Sequence, residues 1–571
     1  MARSNDAVAA MLQEFADLLA ISGGDARKVR AYEKAARAVE GYPLEVDGLD
    51  VKGLDAIPAV GSHLARKILE FGDTGSVSEL DELRAKVPSG LRTLLRVPGL
   101  GPRHALQVYT ELGITSLSEL TNALREHRLR ELRGWDEKSE QNLVTAIQQA
   151  HGGAVRFRLD VALELAGRVL ARFEAVPGVW RATYAGSLRR MRDTVGDIDL
   201  LVASDEPAPV MDALVAMPLV ARVLAKGPTK TSVVTDSGIQ VDVRVISPSS
   251  WGAALMYFTG SKAHNIRVRA LAVRAGLKLS EYGLFSAESG ELIVAGTEEE
   301  VFAQLGLPWI PPVLREDNGE VEAALEGRLP VLVQLGDLRG DLHTHTGLSD
   351  GVATLEEMVA AARKRGYEYF AITDHVPLAS MRQVTIERAL AQRQRIRELE
   401  PGAGLTLLHG TEVYIQPDGS LGWEDELLAG FDIVVASVHS YFEQPRTEMT
   451  ARLLRAIEHP CVHVIGHPTN RGIGRRPPVD VDLEAMFRAA ARTGTALEVN
   501  GFPDRLDLDG EVIRWAWSFG VRFAIATGAH AVSQLDNVRF GVATAQRCWA
   551  APGEVVNTWP LDRLRRFLGT G

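Results

Sequence analysis

Two stretches in the middle of the chain alternate apolar and polar residues. In the first, Asp197 and Asp199 alternate with apolar residues, which predicts a β-strand. Residues two apart on a strand point to the same face, so both carboxylates are expected on one side. Asp242 lies on the second stretch, residues 240–244, and can join the other two carboxylates if the two strands pair.

The first ~90 residues predict short helices, and one turn motif occurs twice between residues 57 and 102. An apolar residue, a proline and a glycine-bearing turn precede a helix start at residues 57–62 and again at 97–102. Such a turn directs the free amides of a helix N-terminus outward, where they can hold a DNA phosphate without reading sequence. We interpret both as helix-hairpin-helix elements, with a degenerate third copy at 132–138; the alternative is an ordinary corner between helices. The turn glycines predicted to contact DNA are Gly61, Gly99 and Gly101.

From about residue 338 the pattern changes to short apolar strands that end in polar residues and alternate with helices. Four of these predicted strands lie at residues 370–373, 433–437, 462–466 and 496–499. Repeated βα units of this kind favour a barrel with its functional groups at the carboxyl ends of the strands.

The totals fit a multidomain globular protein. A chain of 571 residues is too long for one core and predicts roughly three to five domains. The N-terminal stretch predicts an amphipathic helix and not a signal peptide, and no apolar run is long enough to cross a membrane. Two cysteines, Cys461 and Cys548, exclude a disulfide framework and favour a reducing cytoplasm.

The net charge of −11 is unevenly distributed. Residues 1–315 are close to neutral, and residues 316–571 carry about −9. Any DNA binding by the first two thirds must therefore come from local patches and backbone amides, because no large positive field exists to attract DNA.

The three aspartates predict a metal site. Three oxygen ligands with no nearby His or Cys suit Mg²⁺, which retains waters and takes substrate phosphates to complete its shell. The preceding Gly186-Ser187 turn and the Arg189-Arg190 pair supply amides, a hydroxyl and guanidinium groups for a triphosphate. The pattern indicates a nucleotidyl-transfer site; the alternative is a surface turn with solvated acids.

A second metal site is predicted in the C-terminal part, where nine of the fourteen histidines lie between residues 343 and 530. Most of them come just after an apolar strand, at the mouth of the expected barrel. Mixed imidazole and carboxylate ligands suit Zn²⁺ or Mn²⁺, and a cluster of this size can hold two or three ions that hydrolyse a phosphodiester. His409, His459 and His463 do not follow the pattern and are interpreted as structural.

The first ~315 residues resemble a family X DNA polymerase of the polymerase β type, and the remainder resembles a polymerase and histidinol phosphatase (PHP) domain. The motifs that carry the polymerase resemblance are Gly186-Ser187-Leu188-Arg189-Arg190, Gly196-Asp197-Ile198-Asp199, Asp242, Tyr257-Phe258-Thr259-Gly260-Ser261 and Glu281-Tyr282. This combination is similar to a bacterial family X polymerase over almost the whole chain. It implies N-terminal helical and helix-hairpin-helix domains, an α+β nucleotidyltransferase palm with a thumb, and a C-terminal distorted (β/α)7 PHP barrel.

The resemblance also implies domain boundaries. In chain order these are a lyase-like helical domain that binds DNA 5′ ends (1–88), a helix-hairpin-helix fingers domain (89–152), the palm (153–247), a thumb for nucleotide selection (248–316), a linker (317–337) and the PHP phosphoesterase domain (338–571).

For the palm, the resemblance implies that Asp197 and Asp199 bind both metals and that Asp242 assists attack by the primer 3′-hydroxyl. The implied nucleotide contacts are Gly186, Ser187 and Arg190 to the triphosphate, Tyr257, Phe258 and Gly260 to sugar and base, and Asn265 and Arg269 to nucleotide or template. Lys262 occupies a position where animal relatives have an acid, so we hypothesise that it adds charge-based nucleotide affinity; the alternative is a solvated lysine.

In the helical domain, animal relatives use a lysine for Schiff-base removal of a 5′-deoxyribose phosphate. Alignment on Gly61 brings Lys67 to that position, while His63 replaces a nearby supporting lysine. Lys67 is therefore either this catalytic amine or a phosphate contact.

For the barrel, the resemblance implies three ions. Their ligand sets are His343, His345 and Glu412 with an aspartate of an Asp-Ala-His motif; Glu412, His439 and His467; and Asp350, His375 and His530. The motif here reads Gly528-Ala529-His530, so the expected aspartate is missing. Either water or phosphate fills the gap and leaves a Mn²⁺-dependent nuclease, which we favour, or the domain is partly inactive and structural.

Together these interpretations predict a bacterial, cytoplasmic, nucleoid-associated repair polymerase that fills short gaps and whose barrel is a 3′-5′ exonuclease or another 3′-end-processing activity. The implied cofactors are Mg²⁺ or Mn²⁺ at the palm and Zn²⁺ or Mn²⁺ at the PHP domain. The implied partners are dNTPs and gapped or nicked DNA with a 5′-phosphate or damaged 3′ ends, with no membrane, and the chain is expected to be a monomer. The rival hypotheses are a nucleotidyltransferase acting on RNA or a small molecule, and a DNA-end-binding scaffold with vestigial sites.

Overall fold

The computed structural model describes residues 5–22, 25–40, 46, 49–55, 57, 60–88, 91, 94, 100, 102–115, 117–136, 139–140, 143, 156–375 and 384–570. Gly99 and Gly101 lie outside these residues, as does part of each predicted hairpin turn. Contacts divide the chain into two compact units, residues 1–156 with 269–271 and residues 157–268 with 272–571. Across the described ranges, no helix combines the length and the apolar character needed to span a bilayer.

The first unit is helical. Its helices span Asn5–Ile21, Ala26–Glu40, Val51–Asp55, Ser62–Thr74, Ser78–Lys86, Pro102–Leu112 and Leu117–Arg125, followed by the 3₁₀ turn Arg128–Glu131. Leu12, Phe15 and Ala65 are fully buried in a shared apolar core. The predicted helix starts at Ser62 and Pro102 are both present.

The second unit begins with a five-stranded sheet, here called the aspartate sheet. Its strands, in spatial order, are Val179–Tyr184, Asp197–Ser204, Gln240–Ile246, Lys230–Thr235 and Val220–Lys226. The second and third of these pair in parallel, and the other neighbours are antiparallel. Helices Leu159–Glu174, Gly186–Arg189 and Pro207–Val215 accompany the sheet. Ile198, Leu200, Val241 and Val243 are buried in the core between them, so the intervening polar positions face the other way.

The chain continues into helices Trp251–Thr259, Lys262–Arg274 and Glu298–Gln304 and a three-stranded antiparallel sheet of Leu277–Ser280, Gly283–Ser286 and Leu292–Val294. Glu298 is buried and connects this segment to the aspartate sheet. It accepts hydrogen bonds from Arg189 and Arg315, and Arg315 is itself fully buried. These paired charges satisfy one another in the interior.

The C-terminal part is a nearly closed barrel of seven parallel strands in chain order, here called the barrel. The strands are Gly340–Asp341, Tyr369–Ile372, Thr406–Tyr414, Ile433–Ser437, Val464–Ile465, Ala496–Asn500 and Phe523–Ala526. A parallel bridge between Thr344 and Ala529 joins the first strand region to the last. The helices of this part are Leu355–Lys364, Ile386–Ala403, Asp425–Leu428, Arg446–Ile457, Leu483–Thr493, Gly510–Trp517, Val538–Arg547 and Leu561–Phe567. The predicted βα barrel is confirmed, with the strand at 462–466 shorter than expected.

The barrel and the aspartate sheet share part of one core. Leu506 and Phe540 of the barrel are buried among the apolar residues beneath the aspartate sheet. Next to them, the Asp193 carboxylate accepts hydrogen bonds from Arg471 and Arg547 of the barrel. The two candidate sites described below therefore stand on directly connected scaffolds.

Candidate active sites

The aspartate sheet brings the three predicted carboxylates together. Asp199 lies directly opposite Asp242 in the parallel strand pair, and Asp197 precedes Asp199 by two residues on the same face. Asp199 and Asp242 line a cavity of about 150 Å³ with Lys230 and Phe258. The paired strands that the sequence required are thus present, in the register that groups the acids.

Burial and repulsion between the carboxylates shift the pKa values of these aspartates. Burial, followed by the charges of Asp197 and Asp242, raises the pKa of Asp199 to about 6. Burial would also raise the pKa of Asp242, but hydrogen bonds from Lys230 at 2.8 Å and Gln240 at 2.9 Å outweigh it and lower that pKa. Crowded carboxylates of this kind are stabilised by divalent cations, so the donor set fits the expected Mg²⁺ or Mn²⁺.

Sequence reasoning missed Lys230. It lies on the strand next to Asp242, and its ammonium group makes the ion pair described above. The only available signal was its position at the start of an apolar strand, which is not specific for a functional lysine.

Gly186 is required beside Asp199 for a steric reason. Its φ is +57°, a region that favours glycine, and a Cβ atom there would lie 2.2 Å from Asp199 Oδ2. The backbone of the turn therefore touches the carboxylate directly. Ser187 follows in the short helix Gly186–Arg189 and is half-buried.

The two arginines of the motif are both engaged in this structure. Arg189 donates to Glu298 and to the Thr259 hydroxyl. Arg190 donates from Nε to Glu316 at 2.9 Å and from Nη1 to the Thr259 carbonyl at 2.6 Å. For Arg190 to hold a triphosphate, it would have to exchange these acceptors for phosphate oxygens.

The remaining predicted nucleotide contacts lie on two consecutive helices, Trp251–Thr259 and Lys262–Arg274, and on Gly260 between them. The Tyr257 and Phe258 rings meet edge to face at 5.1 Å between centroids, and Asn265 Nδ2 donates to the Tyr257 carbonyl. Lys262 and Arg269 are exposed on the helix Lys262–Arg274, and Gly260 lies between the two helices. Of this set only Phe258 lines the cavity at the aspartates. Their contacts with a nucleotide stay predictions.

Lys67 is buried in the first unit. Its ammonium group pairs with Glu79 and lies 4.9 Å from the centre of the Phe15 ring. His63, four residues earlier on the same helix, is exposed. The geometry is compatible with either of the two roles proposed for Lys67.

The barrel brings the predicted histidines around one carboxylate, Glu412. Its Oε1 lies 3.1 Å from Nε2 of both His439 and His467. Its Oε2 lies 3.2 Å from His343 Nε2, 3.0 Å from His375 Nδ1 and 3.5 Å from His345 Nε2. All five imidazoles and Glu412 line one cavity of about 280 Å³.

Asp350 and His530 complete the cluster. His530 Nε2 lies 3.2 Å and His375 Nε2 3.7 Å from the Asp350 carboxylate. The His345 ring contacts both the His375 and the His530 ring, at centroid distances of 4.4 and 4.2 Å. Three groups of side chains could each hold an ion, because the donor atoms within each group lie within 4.8 Å of one another. These groups are His345, Asp350, His375 and His530; His343, His345 and Glu412; and His375, Glu412 and His439.

Several buried ring nitrogens in the cluster are left without a hydrogen bond. Four buried ring nitrogens make no hydrogen bond of suitable geometry in the described part of the chain: His343 Nε2, His345 Nδ1, His439 Nε2 and His467 Nδ1. The distances of 3.2 Å from His343 Nε2 and 3.1 Å from His439 Nε2 to Glu412 are short enough for hydrogen bonds, but the angles are not suitable. Buried polar atoms are rarely left in this state unless an ion or another group completes them. The residues present therefore fit the Zn²⁺ or Mn²⁺ that the sequence implied.

Glu498 is a functional candidate that sequence reasoning missed. Its fully buried carboxylate accepts from His343 Nδ1 at 2.8 Å and from the His467 backbone N–H at 2.6 Å. Burial opposes protonation of His343, but Glu498 and Glu412 overcome it and raise the pKa of His343. A carboxylate behind a ligating histidine fixes the ring and its tautomer. The sequence offered one signal for a functional role of Glu498, which is an acidic residue inside an otherwise apolar barrel strand.

Gly528 lies where the family pattern has an aspartate. Its φ is +55°, and a Cβ atom there would lie 3.1 Å from Asn500 Nδ2. Gly528 still contributes to the site, because its carbonyl accepts from His530 Nδ1 at 2.8 Å and orients that ring. The off-pattern histidines make contacts outside the cluster: the His463 ring, for example, accepts from the Val434 amide and lies 3.2 Å from the Leu568 carbonyl. Their interpretation as structural residues stays a prediction.

Comparison with known proteins covers the whole chain. Over 562 aligned residues it is 36% identical to the DNA polymerase/3′-5′ exonuclease PolX of Bacillus subtilis (strain 168), and the alignment covers 98% of each protein. The chain belongs to the PolX family. The predicted resemblance to bacterial family X polymerases with a PHP domain is therefore confirmed.

Further matches follow the same division of the chain. Family models match a helix-hairpin-helix domain at residues 3–77, a helix-hairpin-helix tandem at 91–149, a DNA polymerase β thumb at 254–316 and a PHP domain at 341–501. Rat DNA polymerase lambda is 25% identical over 321 residues, 51% of this chain and 53% of that protein. A probable phosphatase of Syntrophotalea carbinolica is 29% identical over 245 residues, 40% of this chain and 95% of that protein.

Proposed function

We propose that the protein is a DNA-directed DNA polymerase that fills short gaps during repair and also hydrolyses 3′-terminal phosphodiesters with its barrel. The observation that carries the proposal is the full-length similarity to a polymerase/exonuclease of the PolX family, together with the carboxylate group around Asp199. Its DNA substrates are gapped or nicked duplexes, held by the helix-hairpin-helix segments through backbone amides. Both cysteines are free, in keeping with action in a reducing cytoplasm.

In the polymerase reaction we assign metal binding to Asp197, Asp199 and Asp242. Bound Mg²⁺ or Mn²⁺ supplies charge neutralisation and Lewis acidity for in-line transfer to the primer 3′-hydroxyl. Asp242 stays ionised at neutral pH because Lys230 and Gln240 hydrogen-bond it. The amides of the Gly186-Ser187 turn and the Arg190 guanidinium are assigned to the triphosphate, and Tyr257, Phe258 and Gly260 to sugar and base.

In the barrel reaction we assign ligation of two or three Zn²⁺ or Mn²⁺ ions to the histidine cluster with Asp350 and Glu412. Such ions supply an activated water and a clamp for the phosphodiester. Glu498 and the Gly528 carbonyl hold His343 and His530 in their ligating orientations.

A double comparison on the full chain tests both reactions. Asp197→Asn should abolish single-nucleotide gap filling and keep Mn²⁺-dependent degradation of a 3′ end. His343→Ala should do the reverse, so each variant controls for folding of the other. Equal nuclease rates in the wild type and His343→Ala would overturn the barrel assignment and leave the alternative of a structural barrel.

A second candidate activity for the barrel is phosphomonoester hydrolysis. It is favoured by the similarity to the probable phosphatase, because this part of the chain covers 95% of that protein. Parallel assays on DNA ending in a 3′-hydroxyl, a 3′-phosphate or an abasic site distinguish exonuclease, phosphatase and endonuclease activities.

Two single-residue proposals complete this assignment. Lys262 is proposed to add nucleotide affinity, which Lys262→Ala should weaken; unchanged affinity makes it a solvated lysine. For Lys67, borohydride trapping on abasic DNA that is lost in Lys67→Ala would establish the Schiff-base role, and trapping that persists or never occurs would leave the phosphate contact.

A further inference from the structure

Arg505 lines the barrel cavity and has no assigned role. It belongs to the wall of the 280 Å³ cavity that contains Glu412 and the histidines. Its side chain is 35% exposed. The described residues offer its guanidinium no hydrogen bond, and the nearest carboxylate oxygen, Asp504 Oδ1, is 4.0 Å from its Nε. A partly buried cation with no hydrogen-bond acceptor among the described residues is therefore available to a ligand.

The positive charge of Arg505 acts inside the cavity. Arg505 lines the same cavity as His343, His439 and His467. His467 Nε2 lies 3.1 Å from Oε1 of Glu412, the carboxylate that the histidines of the predicted metal cluster surround. The guanidinium thus faces the same space that a substrate of this cluster must enter.

The backbone around Arg505 is fixed by the aspartate sheet. The next residue, Leu506, is fully buried in the core beneath that sheet. The Leu506 carbonyl accepts from Arg471 Nε at 3.1 Å, and Arg471 Nη2 donates to Asp193 at 2.7 Å. Leu506 has φ +46°, a region that leucine adopts only when its surroundings impose it.

A second anchor follows directly in the chain. The buried Asp507 carboxylate accepts from the Thr469 hydroxyl at 2.7 Å and from the Thr469 amide at 3.0 Å. Two anchors therefore hold the backbone directly after Arg505, and this backbone needs little ordering when the guanidinium binds a ligand.

We propose that Arg505 binds the phosphate group of the substrate in the barrel cavity. The inference rests on the proposed phosphoesterase function of the barrel and adds the residue that recognises the anion. A guanidinium matches two phosphate oxygens at once through a planar pair of N–H donors, and it remains charged at all working pH values. The contact would be made in the ground state and in the transition state alike, so its main effect should be on KM.

The test uses a small diester, thymidine 5′-(p-nitrophenyl phosphate), which cannot reach the helix-hairpin-helix segments. With Mn²⁺ and the full-length protein, Arg505→Ala should raise KM about 10- to 100-fold, the loss expected for a hydrogen bond to a charged group. Arg505→Lys should recover part of this loss, because it restores charge without the planar pair of donors. Gap-filling activity and Mn²⁺ content should equal those of the wild type.

Arg475→Ala is the matched control. Arg475 is 72% exposed, and its Nη1 lies 3.7 Å from Oδ2 of the same Asp504. The Arg475→Ala variant therefore removes a nearby positive charge that lies outside the cavity. Its KM should match the wild-type value. An unchanged KM in Arg505→Ala, or an equal rise in both variants, overturns the proposal.

A binding measurement separates this inference from the proposed function. If the wild type and His343→Ala hydrolyse the diester equally, the phosphoesterase assignment fails. Calorimetric binding of thymidine 5′-monophosphate with Mn²⁺, in an Asp197→Asn background that disables the polymerase site, then decides the role of Arg505. Affinity that falls at least tenfold in Arg505→Ala supports the phosphate contact, and equal affinity overturns it.

Discussion

The carboxyl group of Asp199 lies between two other carboxylates and is mostly buried, so it retains a proton more tightly than a free aspartate. Its pKa is raised to about 6. A protonated carboxyl is a poor metal ligand, so protons and Mg²⁺ compete for this residue. The competition gives the polymerase site an acid-sensitive step.

We expect gap filling at subsaturating Mg²⁺ to fall roughly tenfold between pH 7 and pH 5, because the ionised fraction of Asp199 falls by that factor. Raising the Mg²⁺ concentration should restore the rate at pH 5, since the metal then displaces the proton. The measurement is single-nucleotide insertion across this pH range at two Mg²⁺ concentrations. A flat profile, or one that Mg²⁺ does not shift, would contradict the role of Asp199 as a ligand.

Gly528 distinguishes the barrel site from the family pattern, which has an aspartate at this position. Gly528→Asp should bind Mn²⁺ about tenfold more tightly than the wild type, because it restores a negatively charged oxygen ligand. Aspartate tolerates the φ of +55° better than most residues, and the Asn500 amide has to shift only slightly.

The control for this change is Gly528→Asn, which has the same size and backbone tolerance without the charge. Its Mn²⁺ affinity, measured by titration in the same buffer, should stay at or below the wild-type value. Equal affinities for all three proteins would mean that position 528 does not face the ion.

Among the elements, the turn at Gly186 joins the nucleotide motif to the catalytic strand. Gly186→Ala combines an unfavourable φ of +57° with a Cβ 2.2 Å from Asp199 Oδ2, so Asp199 must move. We expect gap filling to fall by about two orders of magnitude or more, the effect of misplacing a reacting group by ~1 Å. Barrel nuclease activity should not change.

Gly238→Ala provides the comparison for this turn. Gly238 has φ +81°, but the space around it is open, so alanine there meets a similar backbone penalty without a clash. Its gap-filling rate should stay within a few-fold of the wild type. Equal losses in both variants would attribute the effect to general destabilisation.

Helices and strands were predictable where one face of an element had to be apolar. Alternation around Asp197 and Asp199 identified their strand, and the strand bounds Asp197–Ser204 agree with it. The strand at 462–466 was overestimated, because only Val464 and Ile465 are in register with residues of the neighbouring strands. An apolar run shows burial, but it does not show how many of its residues reach a partner strand.

At the scale of the whole molecule, Asp193 joins the aspartate sheet to the barrel. Burial would raise the pKa of Asp193, but the charges of Arg547 and Arg471 outweigh it and hold the pKa below its usual 3.8. A depressed pKa means that this ion pairing stabilises the fold above about pH 4 and is lost as the pH falls further.

Asp193→Asn should lower the free energy of unfolding at pH 7 by about 3 kcal/mol, because it leaves two partly buried guanidinium groups without a counter-charge. Denaturant unfolding at pH 7 measures this loss. Asp205→Asn, at an exposed position, should have no effect. Equal stability of the two variants would show that the junction does not depend on Asp193.

The sequence by itself determined which chemistries this protein carries. Acids at alternate strand positions, histidines after apolar strands and paired hairpin turns are local patterns, and local patterns follow from periodicity and ligand preference. The polymerase and PHP motifs, and the absence of an aspartate at Gly528, needed no coordinates.

Only the tertiary structure decided which side chains meet. Lys230 meets Asp242 through the pairing of two consecutive antiparallel strands, whereas Glu498 behind His343 and Arg505 in the barrel cavity are contacts between segments far apart in the chain. Such contacts depend on strand register and on how the barrel packs against the aspartate sheet, and neither leaves a periodic trace in the sequence. Long-range packing therefore determined the partners of the residues whose types the sequence had already specified.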